Sequence, residues 1–214
     1  MRIRPNPTLH DRVVWQSAGL LLAYPDEGHP DRLDTVDRLL AHITGRAASL
    51  LRDTVATLRA IDALTAAREY VETFDMQRTS TLYLTYWTAG DTRNRGNQML
   101  SFSRTYRNAC VAPPTAEAPD FLPVVLEFAA TVDPEAGRRL LVEHRVTIDI
   151  LLEALTTGGS PYANVICAVC ETLPPATDHE VLRAQHLMNT GAPAEAVGLQ
   201  PFTLTVPPRR GGGD

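Results

Sequence analysis

Apolar residues recur at helical spacing along almost the whole chain. Trp15, Ala18 and Leu22 stand at i, i+3 and i+7; Leu64, Ala67, Val71 and Phe74 follow the same rule, as do Leu141, Ile148, Leu151, Leu152 and Leu155. Strand-type alternation occurs only at Phe202–Val206, between prolines. The pattern predicts an all-α fold, a single-domain helical bundle of about eight to ten helices. Breaks carry stop and start chemistry. Pro25-Asp26-Glu27-Gly28 ends the first helix, Gly90 ends another, and Asp91 is placed to cap the helix that follows. Pro113-Pro114 closes that helix, and Asp120 is placed to cap the next, with Pro123 at its third position. Gly158-Gly159-Ser160-Pro161 separates two more helices, with Pro161 suited to the first helical position, and Pro174-Pro175 ends the penultimate one. The predicted organisation is an N-terminal extension (1–10), a helical domain (11–190) and a mobile tail (191–214) with four Pro and five Gly.

Composition narrows the class. At 214 residues and 44% hydrophobic content the chain is too apolar for intrinsic disorder. A net charge of −5 argues against a generic phosphate-backbone binder, so no nucleic-acid partner is expected. All 20 basic residues are Arg, which excludes Schiff-base chemistry and a P-loop. Three cysteines are too few for a disulfide framework and fit a reducing compartment. The N-terminal arginines have no apolar stretch behind them, Arg209-Arg210 sits at the wrong end for an export signal, and no run approaches the ~20 apolar residues of a membrane span. The expectation is a cytoplasmic protein without direct membrane insertion.

HExxH, GxSxG and GxGxxG are absent from the sequence. His179 and His186 lack further ligands nearby and read as solvated, and Cys167 and Cys170 lie among apolar neighbours and read as small core residues. Two segments carry more information. In Tyr83-Leu-Thr-Tyr86-Trp87-Thr-Ala-Gly90-Asp91-Thr-Arg93-Asn-Arg95-Gly96, three aromatics fall within five residues of a chain with 6% aromatics. The helix after it is free of acids from Thr92 to Ala116 and sets Arg93, Arg104 and Arg107 within about 60° of one another, beside a face of Met99, Phe102 and Tyr106. In Pro119-Asp120-Phe121-Leu122-Pro123-Val124-Val125-Leu126-Glu127-Phe128-Ala129-Ala130, Glu127 is the one charge from Phe121 onward. A helix apolar all round is expected to be buried, so Glu127 is expected to need a cationic partner, as a structural ion pair or facing a ligand.

These two strings, with Tyr70-Val-Glu-Thr-Phe-Asp75 before them, resemble the NarJ-type chaperones, the delta subunits of respiratory nitrate reductase, within the wider TorD and DmsD group of redox-enzyme maturation proteins. The resemblance covers roughly residues 11–175; it departs from the family at Phe121, where members often carry His. It implies an all-helical domain with no catalysis and no cofactor or metal of its own. It implies a cytoplasmic partner, the N-terminal segment of the nitrate reductase catalytic (alpha) subunit, held until the molybdenum cofactor is inserted, with the chaperone then leaving. Weak self-association is left open.

Both readings meet in a groove for an amphipathic client helix. Its expected floor is Tyr83, Tyr86, Trp87, Phe121 and Leu122, and its expected rim is Arg93, Arg95, Arg104, Asp120 and Glu127; Asp91 and Pro123 are expected in the same groove. The alternatives are a chaperone for another molybdoenzyme, or a small helical enzyme that uses Glu127 for acid–base work or the Arg stripe for a nucleotide.

Overall fold

The structure, a computed structural model, describes residues 6–90 and 92–193. Its helices are α1 (Leu9–Leu21), α2 (His29–Leu40), α3 (Arg46–Arg59), α4 (Ala63–Tyr70), α5 (Tyr86–Ala89), α6 (Arg93–Asn108), α7 (Leu122–Thr131), α8 (Pro134–Glu143), α9 (Arg145–Thr157), α10 (Tyr162–Thr172) and α11 (Asp178–Thr190). A π-helical turn (Val71–Asp75) and a 3-10 turn (Arg78–Ser80) join α4 to the segment before α5. The all-α prediction holds. The described residues form 11 helices rather than eight to ten because α5, of 4 residues, is too short to leave a periodic trace. Their one β-bridge pairs Tyr83 with Phe121. The alternating stretch at 202–206 lies outside the described residues, as does most of the 191–214 tail.

α1 is the central helix. A capping box starts it: Thr8 Oγ1 accepts from the Asp11 N–H, and the Asp11 carboxylate accepts from the Thr8 N–H. Val14, Trp15, Ala18 and Leu22 are fully buried against α2, α3, α7 and α10. The Trp15 indole N–H donates to Thr172 Oγ1 at 2.8 Å, so its polar edge is satisfied inside the core. At Gly19, a Cβ would stand 3.3 Å from the Pro123 carbonyl, which is how closely α7 lies on α1.

α8 lies as tightly on α7. A methyl group at Gly137 would overlap the backbone and Cβ of Ala129. Gly137→Ala should therefore lower the unfolding free energy by about 2 kcal/mol. Intrinsic propensity favours Ala over Gly in a helix by about 1 kcal/mol, so a loss in the urea midpoint reports the helix–helix approach alone. A gain in stability would show that the two helices have room to separate.

Several predicted boundaries move. Thr92 caps α6 by accepting from the Asn94 N–H; Asp91 lies outside the described residues. α6 stops at Asn108, and the chain reverses at Cys110, with φ of 60°, before Pro113 is reached. Pro161 is the cap residue of α10 rather than its first helical residue. Phe121 occupies the cap position of α7 and Pro123 its second position, while Asp120 turns inward instead of capping. α11 packs on α9, where Ala184 joins Trp87, Val146 and Ile150 in a cluster separate from the main core. Among the described residues no helix is long and apolar enough to cross a membrane.

Candidate functional site

The two informative strings meet through backbone pairing. The Leu84 N–H donates to the Asp120 carbonyl at 3.1 Å and the Leu122 N–H to the Leu82 carbonyl at 2.9 Å, on either side of the Tyr83–Phe121 bridge. Asp120 fastens the junction. It is fully buried, and its Oδ2 accepts from the Thr85 hydroxyl at 2.6 Å and the Thr85 N–H at 3.1 Å. Thr147 of α9 donates to the Leu84 carbonyl at 2.9 Å, tying the same segment to a third element. The side chains across the bridge pack on each other, with Tyr83 and Phe121 ring centroids 5.4 Å apart and the rings tilted by 41°. The Arg95 guanidinium lies over the Tyr83 ring, 5.4 Å from its centroid.

Beside this junction opens a cavity of about 390 Å³ lined by Ala23, Tyr24, Tyr70, Phe74, Asp75, Thr81, Leu82, Tyr83, Glu117, Phe121 and Pro123. Tyr70 anchors the wall: its hydroxyl donates to the Leu22 carbonyl at 2.9 Å, and its ring packs on Tyr24, Phe74 and Tyr162. The wide π turn, closed by the Met76 N–H on the Val71 carbonyl at 3.0 Å, sets neighbouring Phe74 and Asp75 along one cavity wall. All three strings that carry the family resemblance, 70–75, 82–87 and 119–123, therefore contribute to one hollow.

The predicted groove is only partly assembled there. Tyr83, Phe121 and Pro123 line the cavity, and Arg95 stacks on Tyr83 behind it. Leu122 is fully buried in the core, and Asp120 is a buried fastener rather than a rim residue. Trp87 is 4% exposed and belongs, with half-buried Tyr86, to the cluster under α11. Trp87 borders a different hollow, about 350 Å³, lined also by Gln77, Ile150, Glu153 and Met188. Arg93 and Arg104 are exposed and line neither hollow. Glu127 corrects the expectation of a buried carboxylate: it is exposed, because α7 turns every other side toward the core. Sequence reasoning missed Tyr24, Tyr70, Phe74, Asp75 and Glu117, though Tyr70, Phe74 and Asp75 stood in one of the strings it quoted.

Other chemistry-bearing residues are placed as follows. Cys170 is pushed up to about 12 by burial, which keeps the thiol protonated and unreactive. His179 and His186 are exposed on α11. Among the described residues no group of three His, Cys, Asp or Glu is arranged to hold a metal ion. Burial pushes His29 and His144 below the ordinary imidazole range. Both stay neutral in the fold while the unfolded chain takes up protons near pH 6.5. Stability should therefore be full above that pH and fall as the pH drops through about 6.5 toward their depressed folded values. Asp149, raised by burial, opposes the trend. Urea midpoints at about pH 7.5 and 5.5 check this, and a His29→Leu, His144→Phe double variant should flatten the slope.

Residues 38–168 match the family model of the nitrate reductase delta subunit. Over 160 residues the chain is 62% identical to the nitrate reductase-like protein NarX of Mycobacterium tuberculosis; the match takes in 75% of this chain and 24% of that protein, so the chain spans about a quarter of the relative's length. A Bacillus subtilis protein described as a probable nitrate reductase molybdenum cofactor assembly chaperone, NarJ, is 29% identical over 74% of this chain and 87% of its own length. The nitrate reductase molybdenum cofactor assembly chaperone NarJ of Escherichia coli is 29% identical over 67% of this chain and 62% of its own. Among solved structures, a redox enzyme maturation protein from Archaeoglobus fulgidus shares the fold with a TM-score of 0.55 at 21% identity, covering 79% of this chain and 96% of that one.

Proposed function

The chain belongs to the nitrate reductase delta subunit family, and from that premise we propose that it is a non-catalytic assembly chaperone for a nitrate reductase. It binds the N-terminal segment of the catalytic alpha subunit in the cytoplasm. It holds that subunit competent to receive the molybdenum cofactor, and then departs. The observation that carries this reading is the convergence of the three family-like strings on one open, aromatic-walled hollow. Rings such as Phe121 and Tyr83, packed on each other and fixed by the bridge, offer contact area with few rotors left to freeze. A preformed surface lowers the ordering cost of binding, while the client helix still loses its own entropy, so affinity in the micromolar range is expected.

The test is a pull-down from cells that express the alpha subunit with and without its first ~20 residues, roughly five helical turns. Capture should depend on that segment. Equal capture of the truncated subunit would remove the proposed binding mode. In titration calorimetry with the corresponding peptide, Phe121→Ala should weaken binding about tenfold, the scale of an aromatic anchor. Glu127→Ala, at an exposed residue that does not line the hollow, should leave it unchanged.

A further inference from the structure

We propose that the 390 Å³ hollow is a receptor for one basic side chain of the client segment, seated on the Tyr24, Tyr70 and Tyr83 rings between Asp75 and Glu117. The partner rests on the reading above; the chemistry rests on the hollow itself. The charged side chains that line it are both carboxylates. Within the described residues neither Asp75 nor Glu117 is engaged by an ion pair or hydrogen bond. The rest of the wall is largely aromatic, and ring faces attract cations through their quadrupole. The molecule already uses Tyr83 this way, since the Arg95 guanidinium sits over that ring.

The field agrees. Burial, then Tyr162, Asp75 and Glu117, push the Tyr70 hydroxyl above the ordinary phenol range; burial, then Glu117 and Asp120, do the same at Tyr83 against the opposing charge of Arg95. An apolar side chain entering here would desolvate two carboxylates and return nothing to them. A guanidinium or ammonium would pair with both while its methylene stem covers the rings. The volume suits a long side chain. The trough is thus selective for a cation through Asp75 and Glu117, where the sequence reading gave it an aromatic floor and a rim of other acids and arginines.

The test uses the full chain and two small probes, N-acetyl-arginine amide and its neutral isostere N-acetyl-citrulline amide, followed by amide NMR shifts. The arginine probe should move Asp75, Leu82, Tyr83 and Glu117, and citrulline should bind at least about tenfold more weakly. Asp75→Asn with Glu117→Gln should abolish the difference; both residues are exposed, so the fold is kept. Equal shifts with both probes, no shifts with either, or an unaffected double variant would overturn the inference. A second arm uses the client peptide with its Arg and Lys replaced by norleucine. If native and norleucine peptides bind equally, the cation receptor fails and the chaperone reading stands. If the native peptide does not bind, the chaperone reading fails, and the arginine–citrulline comparison decides the hollow on its own.

Discussion

Replacing Asp120 by alanine is expected to lower the unfolding free energy by about 3 kcal/mol and to weaken client binding in whatever fraction stays folded. Asp120 accepts two hydrogen bonds from Thr85 in a fully buried position. Bonds to a charged acceptor contribute about 1.5–3 kcal/mol each, and the desolvation of the carboxylate offsets part of that sum. Its Oδ1 has no partner within the described residues, which also keeps the total below the maximum. Alanine strands the Thr85 N–H and hydroxyl where Asp120 had satisfied them, and this cost dominates. Thr85→Val removes one of the two bonds and should cost about 1.5 kcal/mol. Urea unfolding of both single variants and the double variant gives their coupling, expected at 1 kcal/mol or more, about the scale for residues in direct contact. A coupling near zero would show that the carboxylate does not fasten the bridged segments. Because Tyr83 and Phe121 straddle this junction, the stability loss and the binding loss should appear together, and Asp120→Asn, which keeps the shape and one acceptor, should lose less of both.

What the sequence made legible divides along physical lines. The helices were readable because each buries a stripe at a 3.6-residue period: Trp15 and Ala18 on α1 with Leu22 at its C-cap, and Ile148, Leu151 and Leu155 on α9, all reach the core. The density of aromatics at 83–87 correctly marked a special segment. Its division could not be read, because Tyr83 and Trp87 are held by different elements, Phe121 on one side and the α9–α11 cluster on the other. Asp120 looked like a cap because capping is a local habit of Asp; the backbone bridge to Leu82 and Leu84, a contact between distant segments, turns it inward. Glu127 shows the opposite lesson. In an otherwise apolar helix the lone charge marks the face that stays in water, and α7 uses it so. The acids of the hollow were missed because they come from unrelated stretches, a π turn and the segment between α6 and α7, which only tertiary structure brings together.

The chain's two tryptophans should separate the core from its outer layer. Trp15→Ala is expected to cost about 4 kcal/mol, since it empties a fully enclosed site on the central helix and removes the indole donor from Thr172 Oγ1, which keeps only its own bond to the Val169 carbonyl. Trp87→Ala should cost less, about 2 kcal/mol. Its cluster is small, bounded by Val146, Ile150 and Ala184, and its indole N–H is buried without an acceptor among the described residues, so no hydrogen bond to them is lost. The damage should also be local. α11 is held chiefly to α9 and to this ring, so its amides should exchange faster in the Trp87 variant while those of α1 and α7 keep their protection. Hydrogen exchange on the two variants reads this directly. If Trp87→Ala lowers global stability as much as Trp15→Ala, the cluster is part of the main core. If instead it abolishes client binding with α11 protection intact, Trp87 and the 350 Å³ hollow beside it form a second client contact, and the groove extends from the bridge to α11 as the aromatic run at 83–87 first implied.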